Sequence, residues 1–220
     1  MTKGALQIDI RKWFLAAAHL GGILPLVLFG WAALRGQLGF NPVETALQQS
    51  GRAAVALLLL SLSITPLRKI LNLPWLHRLR KPLGLYAALY AGLHFAAFAA
   101  WDYGLNLRLI WLEVYSKPFL ILGIGALIIL LTLALTSARA LRIKLGARWR
   151  WLQRAVYLAA VLAIAHYLLA VKGDLLTLQG DYARPLIAGG VLVLLFLLRI
   201  AFIQQSLRRL LGRNARRGIR

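Results

Sequence analysis

Apolar residues gather in six long runs, Trp13–Leu34, Ala53–Leu67, Leu83–Trp101, Phe119–Thr136, Ala155–Val171 and Pro185–Leu198. Their interiors hold almost no charge, and most approach the roughly 20 residues that a helix needs to cross the hydrocarbon of a bilayer. The second and sixth runs are shorter and must recruit flanking residues, Gly51 and Arg52 in one case and Arg199 to Ile203 in the other. The pattern predicts an all-α integral membrane bundle of six transmembrane helices over residues 13–203. A short segment, residues 1–12, precedes it and a basic tail, residues 204–220, follows.

Between the runs, Asn41-Pro42 reads as an N-cap with proline at the first helical position, and Gly51 as the close of a short interfacial helix. Residues 102–117 form the longest other connection on that side, and no internal repeat is evident. Charge then orients the bundle. With the N-terminus in the cytoplasm, 21 of the 27 lysines and arginines fall on the cytoplasmic side. Five of the six acidic residues, Glu44, Asp102, Glu113, Asp174 and Asp181, fall on the other. The bias of basic residues places both termini in the cytoplasm.

The net charge of +21 is thereby a topology signal and an attraction to anionic membrane lipid, with no nucleic acid needed to account for it. The absence of cysteine excludes attached c-type haem, thiolate-ligated iron, sulfur clusters and disulfides. No glycine-rich strand-to-helix motif marks a nucleotide domain, and no nucleophile with a paired base or pair of carboxylates supports hydrolytic chemistry.

The chemistry lies in two histidines, His94 and His166, deep within the third and fifth runs. An imidazole in the middle of a membrane helix is costly unless its nitrogens are occupied, so such residues mark sites. At 1.5 Å per residue His94 lies roughly 18 Å along its helix and His166 roughly 16 to 22 Å along the other, both entered from the same side. Ala87 and Ala91 flank the first and Ala159 and Ala163 the second, which leaves room for a flat macrocycle. The simpler alternative is that each histidine hydrogen-bonds a neighbouring helix and that the alanines allow close packing. Two imidazoles at matched depth favour haem iron.

Several motifs also carry a family resemblance. They include His19-Leu20-Gly21 with Leu24-Pro25, Ile64-Thr65-Pro66-Leu67, Arg80-Lys81-Pro82-Leu83-Gly84-Leu85 and Leu93-His94. Further along come Lys117-Pro118, Leu135-Thr136-Ser137, Lys144-Leu145-Gly146, Val156-Tyr157-Leu158, His166-Tyr167 and Val171-Lys172. Together, and in this order, they resemble the MsrQ (YedZ) family, the haem-binding membrane subunits of periplasmic methionine sulfoxide reductase systems, within the ferric-reductase-like transmembrane group. The resemblance implies haem b on His94 and His166, an associated FMN, and a place in the bacterial inner membrane. It implies electrons arriving from a cytoplasmic flavin reductase or from quinol and leaving to a periplasmic molybdopterin reductase, MsrP, which repairs oxidised methionine.

At one position the chain departs from that family. Where relatives carry a histidine just before Val-Tyr-Leu, it has Gln153, opposite Arg80 or Lys81 on the third helix. A second, inner haem held in the usual way lacks its ligands there, and His19 is the substitute candidate. The reading is an electron-transfer subunit rather than a self-contained enzyme. The alternatives are a generic quinol or ferric reductase transmembrane domain and, from another class, a haem-free transporter or structural membrane protein. The charge bias makes a direct prediction: a reporter that is active only when exported, fused to the C-terminus, is expected to be silent, and strong activity would invert the orientation.

Overall fold

The computed structural model describes residues 3–171, 180–200 and 205. Lys172, Asp174 and nearly all of the basic tail lie outside the described residues. The chain forms α1 (Lys3–Leu34), α2 (Pro42–Ile70) and α3 (His77–Ala97), the last closed by a π-helical turn at Phe98–Asp102. It continues with α4 (Leu107–Ser116), α5 (Pro118–Leu135), α6 (Arg139–Leu145), α7 (Ala147–Leu152), α8 (Val156–Leu169) and α9 (Ala183–Leu197). A 3-10 turn, Gln153–Ala155, joins α7 to α8 in one rod.

Among the described residues, five stretches are long and apolar enough to cross a membrane: Arg11–Leu34, Pro42–Ile70, Pro74–Asp102, Pro118–Leu135 and Ala147–Leu169. The chain is a multi-pass membrane protein. The sixth expected span is the exception, because α9 has 15 residues, about 22 Å of helix against the roughly 30 Å of the hydrocarbon. Residues 201–203, which were to extend it, lie outside the described residues. Large apolar side chains such as Leu20, Val27, Ile128 and Ile187 are exposed on the outside, while alanines such as Ala87 and Ala159 occupy the centre. Lipid is as apolar as leucine, so small residues gather where helices must approach.

Two antiparallel hairpins make the frame. In one, α3 packs along the length of α2, and in the other α8 packs along α5. Helix α9 leans on α2 and α8, and α1 lies against α3 and α2 at the edge. The expected N-cap at Asn41 is present, its side chain accepting the Glu44 N–H at 3.0 Å. Gly51, however, ends nothing: α2 runs through it without a break to Ile70. The connection 102–117 is also more ordered than its composition suggested. Asn106 caps α4, whose Ile110 and Val114 bury against Ala99 beneath an ion pair of Glu113 with Lys117.

Near two of the prolines inside these helices, side chains from elsewhere in the bundle bond to the helix backbone. Pro66 removes the donor for the Leu62 carbonyl, and the Arg199 guanidinium supplies one at 2.6 Å while lying over the Tyr157 ring at 4.5 Å. Beside Pro25 the hydroxyl of Tyr90 stands between Leu26 N–H and Gly22 C=O, accepting from the first at 3.0 Å and donating to the second at 2.8 Å. Gly22 must be glycine, because a Cβ there would run into the ring of Tyr86. Tyr90→Phe removes both bonds at once and is expected to cost about 1–2 kcal/mol, seen as a lower thermal midpoint in detergent. An unchanged midpoint would show that the hydroxyl does not tie α1 to α3.

Candidate haem site

Each hairpin presents one histidine in the same local setting. On the first, His94 of α3 reaches α2, where its Nδ1 lies 2.9 Å from the carbonyl oxygen of Leu47. On the second, His166 of α8 reaches α5, where its Nδ1 lies 2.8 Å from the carbonyl oxygen of Phe119. A carbonyl only accepts, so Nδ1 carries the proton in both rings and Nε2 keeps its lone pair. This is how metal-binding histidines are oriented, the second nitrogen donating to a backbone carbonyl.

A glycine makes each contact reachable. In a helix the carbonyl of one residue is already taken by the N–H four residues later, and a side chain at that later position leans back over it. Gly51 and Gly123 occupy those positions, and the imidazoles lie in the space a side chain would fill. A Cβ on Gly51 would sit 3.2 Å from Nδ1 and Cε1 of His94, and one on Gly123 only 2.8 Å from Nδ1 of His166. Carbonyl, glycine and histidine of one hairpin are each 72 positions from their counterparts in the other, a repeat that the sequence does not display.

The two rings face each other with centroids 6.1 Å apart and planes crossed at 80°. A metal–nitrogen bond of about 2.0 Å and a nitrogen-to-centroid distance of about 1.1 Å on each side require about 6.2 Å for two imidazoles on one ion. Among the described residues no group of three or more histidines, cysteines, aspartates or glutamates is gathered to hold a bare metal ion. Two nitrogens suit an ion whose other positions are filled by a macrocycle. The backbones of α3 and α8, which carry the two rings, do not pack closely on each other, while each packs on its own partner.

The other sequence candidates lie apart from this pair. His19 of α1 is exposed along a groove against α3 that Lys81 also lines, with Nδ1 3.1 Å from the hydroxyl of Tyr86. His77 bonds the Pro74 carbonyl at the exposed start of α3. Gln153 points to the end of α5, its amide 3.3 Å from the Leu133 carbonyl and 3.5 Å from the Thr136 hydroxyl. Lys81 donates to the Ser137 carbonyl at 3.1 Å and Trp149 to the Thr136 carbonyl at 2.9 Å. Three side chains thus satisfy the open carbonyls that a helix leaves at its C-terminus. The Arg80 carbonyl takes a hydrogen bond from the Ser61 hydroxyl at 3.0 Å. Gly51 and Gly123 were missed as site residues; their one signal is that each stands 43 residues before an intramembrane histidine.

The chain is a membrane protein of the ferric-reductase-like type: residues 50–164 match the family described as the ferric reductase like transmembrane component. That match takes in Gly51, His94 and Gly123 and stops just short of His166. Over 189 residues, 86% of this chain and 90% of the relative, the sequence is 44% identical to the protein-methionine-sulfoxide reductase heme-binding subunit MsrQ of Deinococcus radiodurans. The chain belongs to the MsrQ family.

Gln153 offers a direct comparison between capping and ligation. Gln153→Leu is expected to lower thermal stability by about 1 kcal/mol through the loss of one tie to the α5 end and to leave the Soret absorbance per chain unchanged. A fall in Soret absorbance would make Gln153 part of a cofactor site.

Proposed function

We propose that the protein is a b-type cytochrome of the bacterial inner membrane, with both termini in the cytoplasm, that carries electrons outward to a periplasmic methionine sulfoxide reductase of the MsrP kind. Electrons enter from a cytoplasmic flavin reductase or from quinol, and an FMN on this chain is the family's further expectation. The observation that carries the reading is the pair of imidazoles 6.1 Å apart with both Nδ1 atoms already engaged. A protein of this kind is an electron-transfer subunit, and the chemistry on methionine belongs to its partner.

In this reading His94 and His166 hold haem iron through Nε2, and the haem supplies one-electron chemistry. The chain's own part is to keep both rings in one tautomer and one orientation, to exclude water with apolar helices, and to hold the site toward the outer half of the bundle. Lys81 and Gln153 are engaged in capping α5, which favours one tightly held haem over two. With a single haem in the outer half, roughly 15 to 20 Å remains to the cytoplasmic surface, and a flavin or quinol bridges it.

Purified protein is expected to show a Soret band equivalent to one haem per chain. His94→Ala and His166→Ala should each lose most of it in folded protein, and His19→Ala should not. Full haem in both alanine variants would sink the ligand assignment, and two tightly bound haems undiminished by His19→Ala would overturn the single-haem reading.

A further inference from the structure

We infer that Gly51 and Gly123 are positioning residues that hold the two imidazoles with their planes crossed, so that the orientation of the axial ligands is fixed by the helix backbones of α2 and α5. The inference rests on the haem reading above and adds to it a device in this chain that sets the electronic character of the site.

Each ring is gripped at two like places, in addition to Ser50 Oγ 3.5 Å from Nδ1 of His94 and the Phe119 ring 5.8 Å from that of His166. Its Nδ1–H is aimed at a carbonyl, Leu47 for His94 and Phe119 for His166, at 2.9 and 2.8 Å. Its edge at Nδ1 and Cε1 lies against the glycine one helical turn further along. The first contact fixes the direction of the ring's long axis, and the second fixes rotation about it, because an imidazole lying on a bare Cα has no clearance to turn toward that helix. Both grips come from a helix other than the one bearing the histidine, so the ring is tied to two elements of its hairpin. The hairpins meet with the rings at 80°, and nothing within either ring's own helix demands that angle.

The angle has a consequence for bound iron. Parallel imidazole planes place their π-donation along one direction and split the two metal orbitals that point between the ligands. Crossed planes donate to both equally and leave them nearly degenerate. A ferric haem with crossed ligands gives a strongly axial low-spin signal with a large principal g-value, and turning one ring toward parallel lowers that value. Ligand orientation and outer hydrogen bonds are also the levers that set reduction potential.

The two glycines differ in how tightly they fit, which grades the test. A methyl on Gly51 would press on His94 at 3.2 Å, a distance that a small shift relieves, whereas a methyl on Gly123 would meet His166 at 2.8 Å and displace it. Gly92, two residues before His94 on α3, has nothing within 4 Å of its virtual Cβ and controls for glycine replacement in these helices.

The experiment is electron paramagnetic resonance on oxidised, haem-loaded protein: the parent, Gly51→Ala, Gly123→Ala and Gly92→Ala, with haem content and potentiometric midpoint measured alongside. The expected result is a highly axial low-spin signal in the parent and in Gly92→Ala, a shift to lower principal g-value in Gly51→Ala, and a larger shift or partial loss of haem in Gly123→Ala, with midpoints moving in the same order. If Gly123→Ala does not accumulate, Gly51→Ala decides, since its methyl needs only a small adjustment. Parent-like signals and midpoints in the glycine variants would overturn the inference, as would an equal shift in Gly92→Ala. A parent without a six-coordinate low-spin haem would overturn the haem reading itself, a failure distinct from these.

Discussion

An imidazole inside hydrocarbon has two nitrogens to satisfy and no water with which to do it, and the arrangement of this bundle follows from that requirement. Each histidine gives its Nδ1–H to a carbonyl on the neighbouring helix. The carbonyl is reachable because the residue one turn later is glycine. The neighbouring helix must lie close along its whole length, and in both hairpins it does. Nε2 of each ring keeps its lone pair, and the two rings are spaced as one iron would space them.

The same accounting runs through the parts of the fold far from the histidines. Pro66 leaves the Leu62 carbonyl without its helical donor and Arg199 supplies one, while beside Pro25 the Tyr90 hydroxyl bridges Leu26 N–H and Gly22 C=O. Gln153, Lys81 and Trp149 do the same for the end of α5. In water these groups would be solvated at little cost, whereas in lipid each becomes a link between helices. The polar side chains of this bundle serve as its joints, and the apolar ones mostly face the solvent that lipid provides.

Much of this was legible in the sequence, for identifiable reasons. A water-soluble fold rarely tolerates apolar runs this long without a charge, so the membrane-spanning helices stood out. His94 and His166 stood out because intramembrane imidazoles are rare and their depths matched. Backbone partners leave no mark in a sequence: Leu47 and Phe119 contribute only carbonyls, and no residue type announces that. Gly51 was misread because glycine signals a helix end as readily as a close approach, and only the position of His94 decides between them. The helix at Leu107–Ser116 was hidden in a connection whose apolar residues are too few to span anything. The alanines also mean something narrower than expected, since Ala87 and Ala159 are closed into the core rather than lining open space.

The missing seam between α3 and α8 bears on how the molecule is built. A hairpin of two apolar helices can enter a bilayer as a unit, and here each hairpin arrives with its own imidazole already docked on its own glycine. The hairpins already meet where α3 lies on α5 and where α9 leans on α2 and α8, and they share one apolar core. Whatever bridges the rings therefore adds a tie at the place where α3 and α8 stand apart, and tightens a contact that packing has already made.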